Sequence, residues 1–365
     1  MDVQVTQFAA QVLAHVQDAA WALATRLCAG DAAPLTLNGR TYEIVRVLGE
    51  GGFAVVFLVR DAASGTLYAL KKIRCAHGAE SLRTALAEID AMRRFRGRHV
   101  ARLVDSCVVQ AAPESSLGNV PAHDEEAGTA KLVYILMPYY ARGSVQDMIS
   151  AHALHGTRFD EREMLRIFLD VCDAVRAMHE YRGDGAPARP AMHARAYGES
   201  AAEPARGGAA PYAHRDLKPG NILLGDDGAA VLVDFGSTVP ARIHVRTRRE
   251  ALAHQDLAAE HSSMPYRAPE LFDVKTDAAL DEQTDIWSLG CVLYAMAFLH
   301  SPFETPDTTA QGGSLALAIT NGAYRMPDEY SEQTRALIAA CLVDARARPT
   351  IAEVQRAARA ALDSL

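Results

Sequence analysis

The order of periodicities along the chain predicts an α+β fold, a small β-rich lobe followed by a larger, mainly helical one. Three observations carry this reading. Strand-like runs joined by glycine turns fill the first third of the chain. One helix-patterned stretch interrupts them, and beyond Tyr140 apolar residues recur at helical spacing.

The elements follow in order. Val5, Phe8, Val12, Val16, Ala19, Leu23 and Leu27 recur at steps of three and four, which predicts one amphipathic helix over 3–27, ended by Gly30 and Pro34. We take 1–34 as a separate N-terminal segment and 35–365 as the folded domain. The pair Asn38-Gly39 between two strand-like runs predicts a hairpin with a type I′ turn. Further strands are expected at 44–48, 54–60 and 66–73, with turns at Gly49 to Gly52 and at Ser64-Gly65. A helix over 80–96 presents Leu82, Leu86, Ile89, Met92 and Phe95 on one stripe. Two more strands, 101–109 and 131–137, close the first lobe near Tyr140. Helices are expected at 144–152, 161–181, 284–299 and 333–342. Residues 111–130 and 182–211, rich in Gly, Ala, Pro and charge, read as inserted surface loops. Irregular but ordered packing is the alternative for the second.

Composition sets outer limits. The 365 residues suffice for one large domain or two lobes, and 49% hydrophobic with 22% charged side chains excludes wholesale disorder. With 37 basic against 45 acidic residues, the net charge of −8 argues against a general nucleic-acid coat and leaves room for a local basic patch. Six cysteines lie far apart with no CxxC pair, a pattern of reduced cytosolic thiols rather than of a disulfide frame or zinc site. No apolar run reaches the roughly 18 residues of a membrane span. Met1-Asp2 lacks the basic start of a secretory signal. A cytoplasmic protein is the expectation.

Chemistry concentrates in two places. Gly49-Glu50-Gly51-Gly52-Phe53-Ala54 lies between two strands, where glycines let backbone amides approach a phosphate chain. Fifteen residues after Val56, Lys71 ends the apolar run Tyr68-Ala69-Leu70. A plain hairpin turn and a solvated edge lysine are the bland alternatives. The second place is the run His214-Arg215-Asp216-Leu217-Lys218-Pro219-Gly220-Asn221, followed by Asp234-Phe235-Gly236, Ala268-Pro269-Glu270, Asp285-Ile286-Trp287 and Arg348. Their order and spacing leave chance little room.

These residues resemble the eukaryotic protein kinase signature set, from about Tyr42 to the C-terminus. The resemblance implies the bilobal kinase fold and the following roles. The loop Gly49 to Ala54 would cover the ATP phosphates, and Lys71 would neutralise their oxygens while pairing with Glu88. Asp234 and Asn221 would hold Mg2+, with Mn2+ as the alternative ion. Asp216 would accept or orient the proton of the acceptor hydroxyl, and Lys218 would meet the transferred phosphate. For adenine, the resemblance points to Met137 as gatekeeper, the Pro138 carbonyl and Tyr140 amide at the base edge, and Val56, Ala69 and Leu223 around the ring. Met92, His214 and Phe235 would form an internal apolar stack, Glu270 would pair with Arg348, and Asp285 would brace the catalytic loop. One departure is Ala54 in place of the third glycine, which keeps the loop small but stiffer.

Within the family, the glycine loop, the run Lys218-Pro219-Gly220-Asn221-Ile222-Leu223-Leu224 and Tyr266-Arg267-Ala268-Pro269-Glu270-Leu271-Phe272-Asp273 resemble the Numb-associated serine/threonine kinases. Arg242-Ile243-His244-Val245, Gln255-Asp256, Ala258-Ala259 and the run from Thr284 to Met296 resemble the acylated branch found on Golgi and vacuole membranes. This likeness implies an extra helix near 248–260 and an activation segment ordered by packing. Lys218 favours Ser/Thr acceptors, and Ser263 would steady Asp216, an ordinary loop serine or phosphosite being its alternative. Asp2 excludes N-myristoylation. Cys28 lies where fungal relatives carry clustered cysteines, and one acyl chain with a weakly basic helix would give reversible membrane contact. Docking of that helix on the kinase body is the competing reading. Two further functions compete with an active protein kinase: a pseudokinase scaffold and a small-molecule kinase. The filled charged positions oppose the first, and the Ala-Pro-Glu segment with Arg348 opposes the second.

Overall fold

Asn38 and Gly39 both adopt positive φ, 47° and 80°, the geometry that a two-residue type I′ turn demands. They join β1 (Leu35–Leu37) to β2 (Arg40–Glu50) in register Leu37 with Arg40. The computed structural model describes residues 34–51, 54–75, 78–110, 131–182, 211–304 and 314–365. The helix expected over 3–27, Cys28, and most of both inserted loops lie outside these.

The chain divides into two compact units. The first takes in the residues up to Ile89 together with Arg102–Tyr139. It is built on an antiparallel sheet in which β3 (Ala54–Asp61), β4 (Leu67–Cys75), β5 (Asp105–Gln110) and β6 (Lys131–Pro138) extend the hairpin in the order β1-β2-β3-β4-β6-β5. Strand alternation sorts its side chains onto two faces. Tyr42, Val55, Phe57, Val59, Leu70, Tyr134 and Leu136 form one buried cluster with Leu37. Each large side chain buried there contributes about 1.5–3 kcal/mol relative to exposure. The opposite face carries Val56 paired with Lys71, Lys71 with Ile135, and Ala69 with Met137. α1 (Gly78–Arg94) supplies the buried residues Ala85, Glu88 and Ile89 to this unit.

The second unit comprises Asp90–Ala101 and Tyr140–Leu365. Residues 90–101 belong with it because their backbone is hydrogen-bonded there. The Ala101 amide donates to the Leu232 carbonyl, and the Leu232 amide to His99, both at 2.9 Å. The strand expected from 101 therefore starts only at Asp105. Helices α2 (Val145–His155), α3 (Glu161–His179), α4 (Arg248–His261), α5 (Gln283–Phe298), α6 (Leu315–Asn321), α7 (Glu332–Cys341) and α8 (Ile351–Asp363) make up its bulk. α5 is buried continuously from Thr284 to Ala297, as an apolar-all-round helix must be. Gly290 allows α5 to approach the end of α7: a Cβ there would sit 2.6 Å from the Cys341 Cβ. α6 and α8 were not among the expected elements. The signal for α8 was the capping box Thr350-Glu353, in which the Thr350 hydroxyl accepts from the Glu353 amide and the Glu353 carboxylate from the Thr350 amide.

Short strands carry the loops that matter: β7 (Tyr212–Ala213) pairs with β10 (Val239–Pro240), β8 (Ile222–Leu224) with β9 (Ala230–Leu232), and β11 (Ile243–His244) with β12 (Ala279–Leu280). Among the described residues no helix is long and apolar enough to cross a membrane. The five described cysteines are free, and burial pushes the Cys341 thiol up to about 12, which leaves it inert.

Candidate active site

In the first unit, Lys71 stands mid-strand on β4 with the Glu88 carboxylate of α1 against its ammonium, at 2.7 and 2.9 Å. Only 14% of one side chain and 4% of the other is exposed. Two charges so far from water persist only because each answers the other. α1 also carries Glu80, but that residue is exposed in the first turn. Gly49 lies opposite Val56 at the end of β2, beside Glu50, and the Gly51 amide donates to the Ala54 carbonyl at 2.8 Å. A Cβ built on Gly49 meets nothing within 4 Å, and one on Gly51 only the Ala54 oxygen at 3.8 Å. Packing within the chain does not demand these glycines, so the open backbone suits a phosphate ligand. Gly52 and Phe53 lie outside the described residues. Met137 is buried at the end of β6, Pro138 pairs with Tyr68, and Tyr140 begins the next unit.

In the second unit, hydrogen bonds converge on Asp216. Its Oδ1 accepts from the Ser263 amide at 2.8 Å, and its Oδ2 from Lys218 Nζ at 2.7 Å and from Asn221 Nδ2 at 3.1 Å. Lys218 also donates to the Ser263 hydroxyl at 2.8 Å. Asn221 Nδ2 donates in addition to the Asp216 carbonyl at 2.9 Å. Both partners of that amide are acceptors, so its nitrogen must face them and its oxygen is left as the cation donor. The Val233 amide donates to the Asn221 carbonyl at 3.0 Å, which brings the next residue, Asp234 at φ 63°, near that side chain; the two would supply hard-oxygen donors suited to a small divalent cation. Leu223 lies on β8, two residues beyond Asn221.

Arg215 is the strained point of the catalytic loop, with φ 70°. A non-glycine residue in that region costs on the order of 1–2 kcal/mol and must be held. Asp285 of α5 holds it. The fully buried carboxylate accepts from the His214 amide at 2.7 Å, the Arg215 amide at 2.9 Å and His179 Nε2 at 2.9 Å. Burial alone would raise its pKa, but the hydrogen bond and charge of His179, with His214 and the Arg215 amide, outweigh it and hold the group below the usual range. The Asp216 amide reaches His214 Nδ1 at 3.3 Å, which places the ring proton on Nε2, facing the Val233 carbonyl at 3.3 Å. The His214 ring meets Phe235 edge-on at 5.5 Å.

The activation segment from Asp234 to Glu270 is fixed by packing. α4 begins with a capping box between Thr247 and Glu250 and is tied down where Gln255 donates to the Phe272 carbonyl. Arg267, almost fully buried, donates to the Ser262 hydroxyl and carbonyl and lies 4.9 Å over the Phe272 ring. These contacts lead directly to Ser263 and so to Asp216. Burial first, and then the charge of Arg215, pull the His254 pKa below its ordinary 6.5. The unfolded chain then binds the proton first, so stability is full above pH 6.5 and falls as pH drops through the window below it. Thermal melts between pH 5 and 7 will show a smaller acid-side loss for His254→Gln than for wild type.

Comparison with known proteins decides the family. The protein kinase domain model matches residues 42–182 and 210–358. The chain belongs to the protein kinase family. Its two units are the β-rich and helical lobes of that fold, and the family uses ATP with a divalent metal. The kinase is 36% identical over 312 residues, 84% of its own length and 86% of the relative's, to serine/threonine-protein kinase ppk13 of Schizosaccharomyces pombe. It is 34% identical to serine/threonine-protein kinase ENV7 of Saccharomyces cerevisiae, covering 88% of this chain and 92% of that one. Human serine/threonine-protein kinase 16 is 35% identical, with 89% and 92% covered. Two contributors to the site escaped the sequence reading. His179, at the end of α3, and Arg94, at the end of α1, act on partners 106 and 118 residues away, with no local pattern to mark them.

Proposed function

We propose that this kinase transfers the γ-phosphate of ATP, with magnesium, to serine and threonine hydroxyls of proteins. The observation that carries the reading is the Asp216 network: a carboxylate held from both oxygens, with an ammonium beside it and the Asn221 side chain bonded to the same residue. The names of the relatives supply the acceptor class. Asp216 orients the acceptor hydroxyl and takes its proton. Lys218 meets the transferred phosphate while it is tied to Asp216. Asn221 and Asp234 would hold magnesium, which would neutralise phosphate charge. Lys71, set by Glu88, and the backbone of Gly49 to Ala54 bind the phosphates, and Met137, Pro138, Tyr140, Val56, Ala69 and Leu223 receive the adenine. Positioning and charge stabilisation supply most of the catalysis in such transfers.

The finer placement is with the Numb-associated kinases and their acylated Golgi and vacuole branch, supported by the motifs around Arg242 and Tyr266 and by the likeness to ENV7 and serine/threonine-protein kinase 16. On this reading Cys28 carries an acyl chain for reversible endomembrane contact, and an unchanged membrane fraction for Cys28→Ser would remove it. The packed activation segment supports activity without prior phosphorylation there.

Transfer from ATP and magnesium to a generic protein substrate tests the main reading, with Asp234→Ala in parallel. Wild type turns over, and the variant loses turnover by on the order of 10²-fold or more. A wild type that binds ATP without transfer would return the pseudokinase reading.

A further inference from the structure

The catalytic loop enters from β7, which is only two residues long. Its partner β10 ends in Pro240, opposite Tyr212, and proline brings no amide to the ladder. One further backbone bond, from the Ala241 amide to the Pro211 carbonyl at 2.9 Å, extends this short ladder, and residues 182–211 precede it in the chain. On the far side of the loop, Asp285 fixes the His214 and Arg215 amides. On the near side a side-chain cluster adds to the short ladder.

The Arg94 guanidinium lies 4.7 Å over the Tyr212 ring and 5.6 Å over the Tyr181 ring, and it donates to the Tyr212 hydroxyl. Phe95 meets the same two rings edge-on, at 5.4 and 5.5 Å, and the two tyrosines lie 6.0 Å apart. Tyr181 and Tyr212 are the residues that bracket the inserted segment. One planar cation therefore joins Tyr181, just beyond α3, to Tyr212 on β7.

We infer that Arg94 is a positioning residue for phosphoryl transfer: its stack on Tyr181 and Tyr212 ties β7 to the end of α3 and so holds the strand from which His214, Arg215 and Asp216 project. The inference rests on the kinase reading above. Arginine suits the task because its flat guanidinium stacks on two rings and still donates to a hydroxyl, which a lysine ammonium cannot do in the same way. Asp216 lies four residues beyond Tyr212, so loosening β7 misplaces the proton acceptor without touching the residues that bind ATP.

Three full-length variants test this: Arg94→Met, which keeps the apolar stem; Arg94→Lys, which keeps the charge; and Tyr212→Phe, which keeps the ring and loses the hydroxyl. The expected result for Arg94→Met is a kcat about three- to tenfold lower, with KM for ATP within about twofold of wild type. Tyr212→Phe and Arg94→Lys should fall between it and wild type. An Arg94→Met protein that melts cooperatively and keeps wild-type kcat overturns the inference. So does a loss of kcat that tracks the melting temperature across all three variants and vanishes in assays at lower temperature. Wild-type turnover in the same assay separates either failure from failure of the kinase reading.

Discussion

Asp216→Asn will lower kcat for phosphate transfer by on the order of 10²–10⁴-fold while KM for ATP stays within a few-fold. The carboxylate accepts three donors at 2.7–3.1 Å, the Ser263 amide on one oxygen and Lys218 with Asn221 on the other. The asparagine oxygen can keep Lys218 and Asn221, while its NH2 cannot accept from the Ser263 amide, so two of the three contacts survive in the variant. What disappears is the basicity that draws the acceptor proton and the negative charge that Lys218 answers. Steady-state assays over a range of ATP concentrations check the split. An equal rise in KM would mean that Asp216 serves nucleotide binding instead.

Glu270→Ala will destabilise the helical lobe by about 3–5 kcal/mol. Arg348 has no exposed side-chain surface, and Glu270 binds it in a fork at 2.6 and 2.8 Å. Two further donors of Arg348 go to the Gln283 and Val343 carbonyls, and its guanidinium lies 5.1 Å from the Trp287 ring. Removing Glu270 strands a buried cation without its counter-charge. At roughly 2–4 °C per kcal/mol for a unit of this size, the melting temperature should drop by on the order of 10 °C. A change of a degree or two in a thermal melt would contradict the assignment. Replacing both partners by apolar residues of similar volume should cost much less, because no charge is then left buried.

Much of this was legible in the sequence, and the exceptions share a physical cause. The type I′ turn could be read from Asn38-Gly39 because its chemistry is local. α5 could be read from its apolar run, and the extra helix at Arg248–His261 lies where likeness to relatives put it. Lys71 alone is an ordinary strand lysine; only its offset from the glycine loop gave it meaning. Glu88 followed from the family resemblance, which pairs an acidic residue of this helix with Lys71, and burial now distinguishes it from Glu80. The C-terminal α8 was missed although Thr350 and Glu353 carry the capping signal. His179 and Arg94 could not have been found, since their roles depend on residues more than a hundred positions away. Topology, not local pattern, makes those pairs.

The most direct measurement is the chemical identity of the acceptor. Wild-type protein is incubated with γ-labelled ATP, magnesium and a generic protein substrate, and the labelled protein is hydrolysed to its amino acids. The proposed function predicts phosphoserine and phosphothreonine accumulating over many turnovers, with both formed more slowly by Asp216→Asn, on the order of 10²-fold or more. Protein left unlabelled by an ATP-bound wild type, or label found only on small molecules, would contradict it.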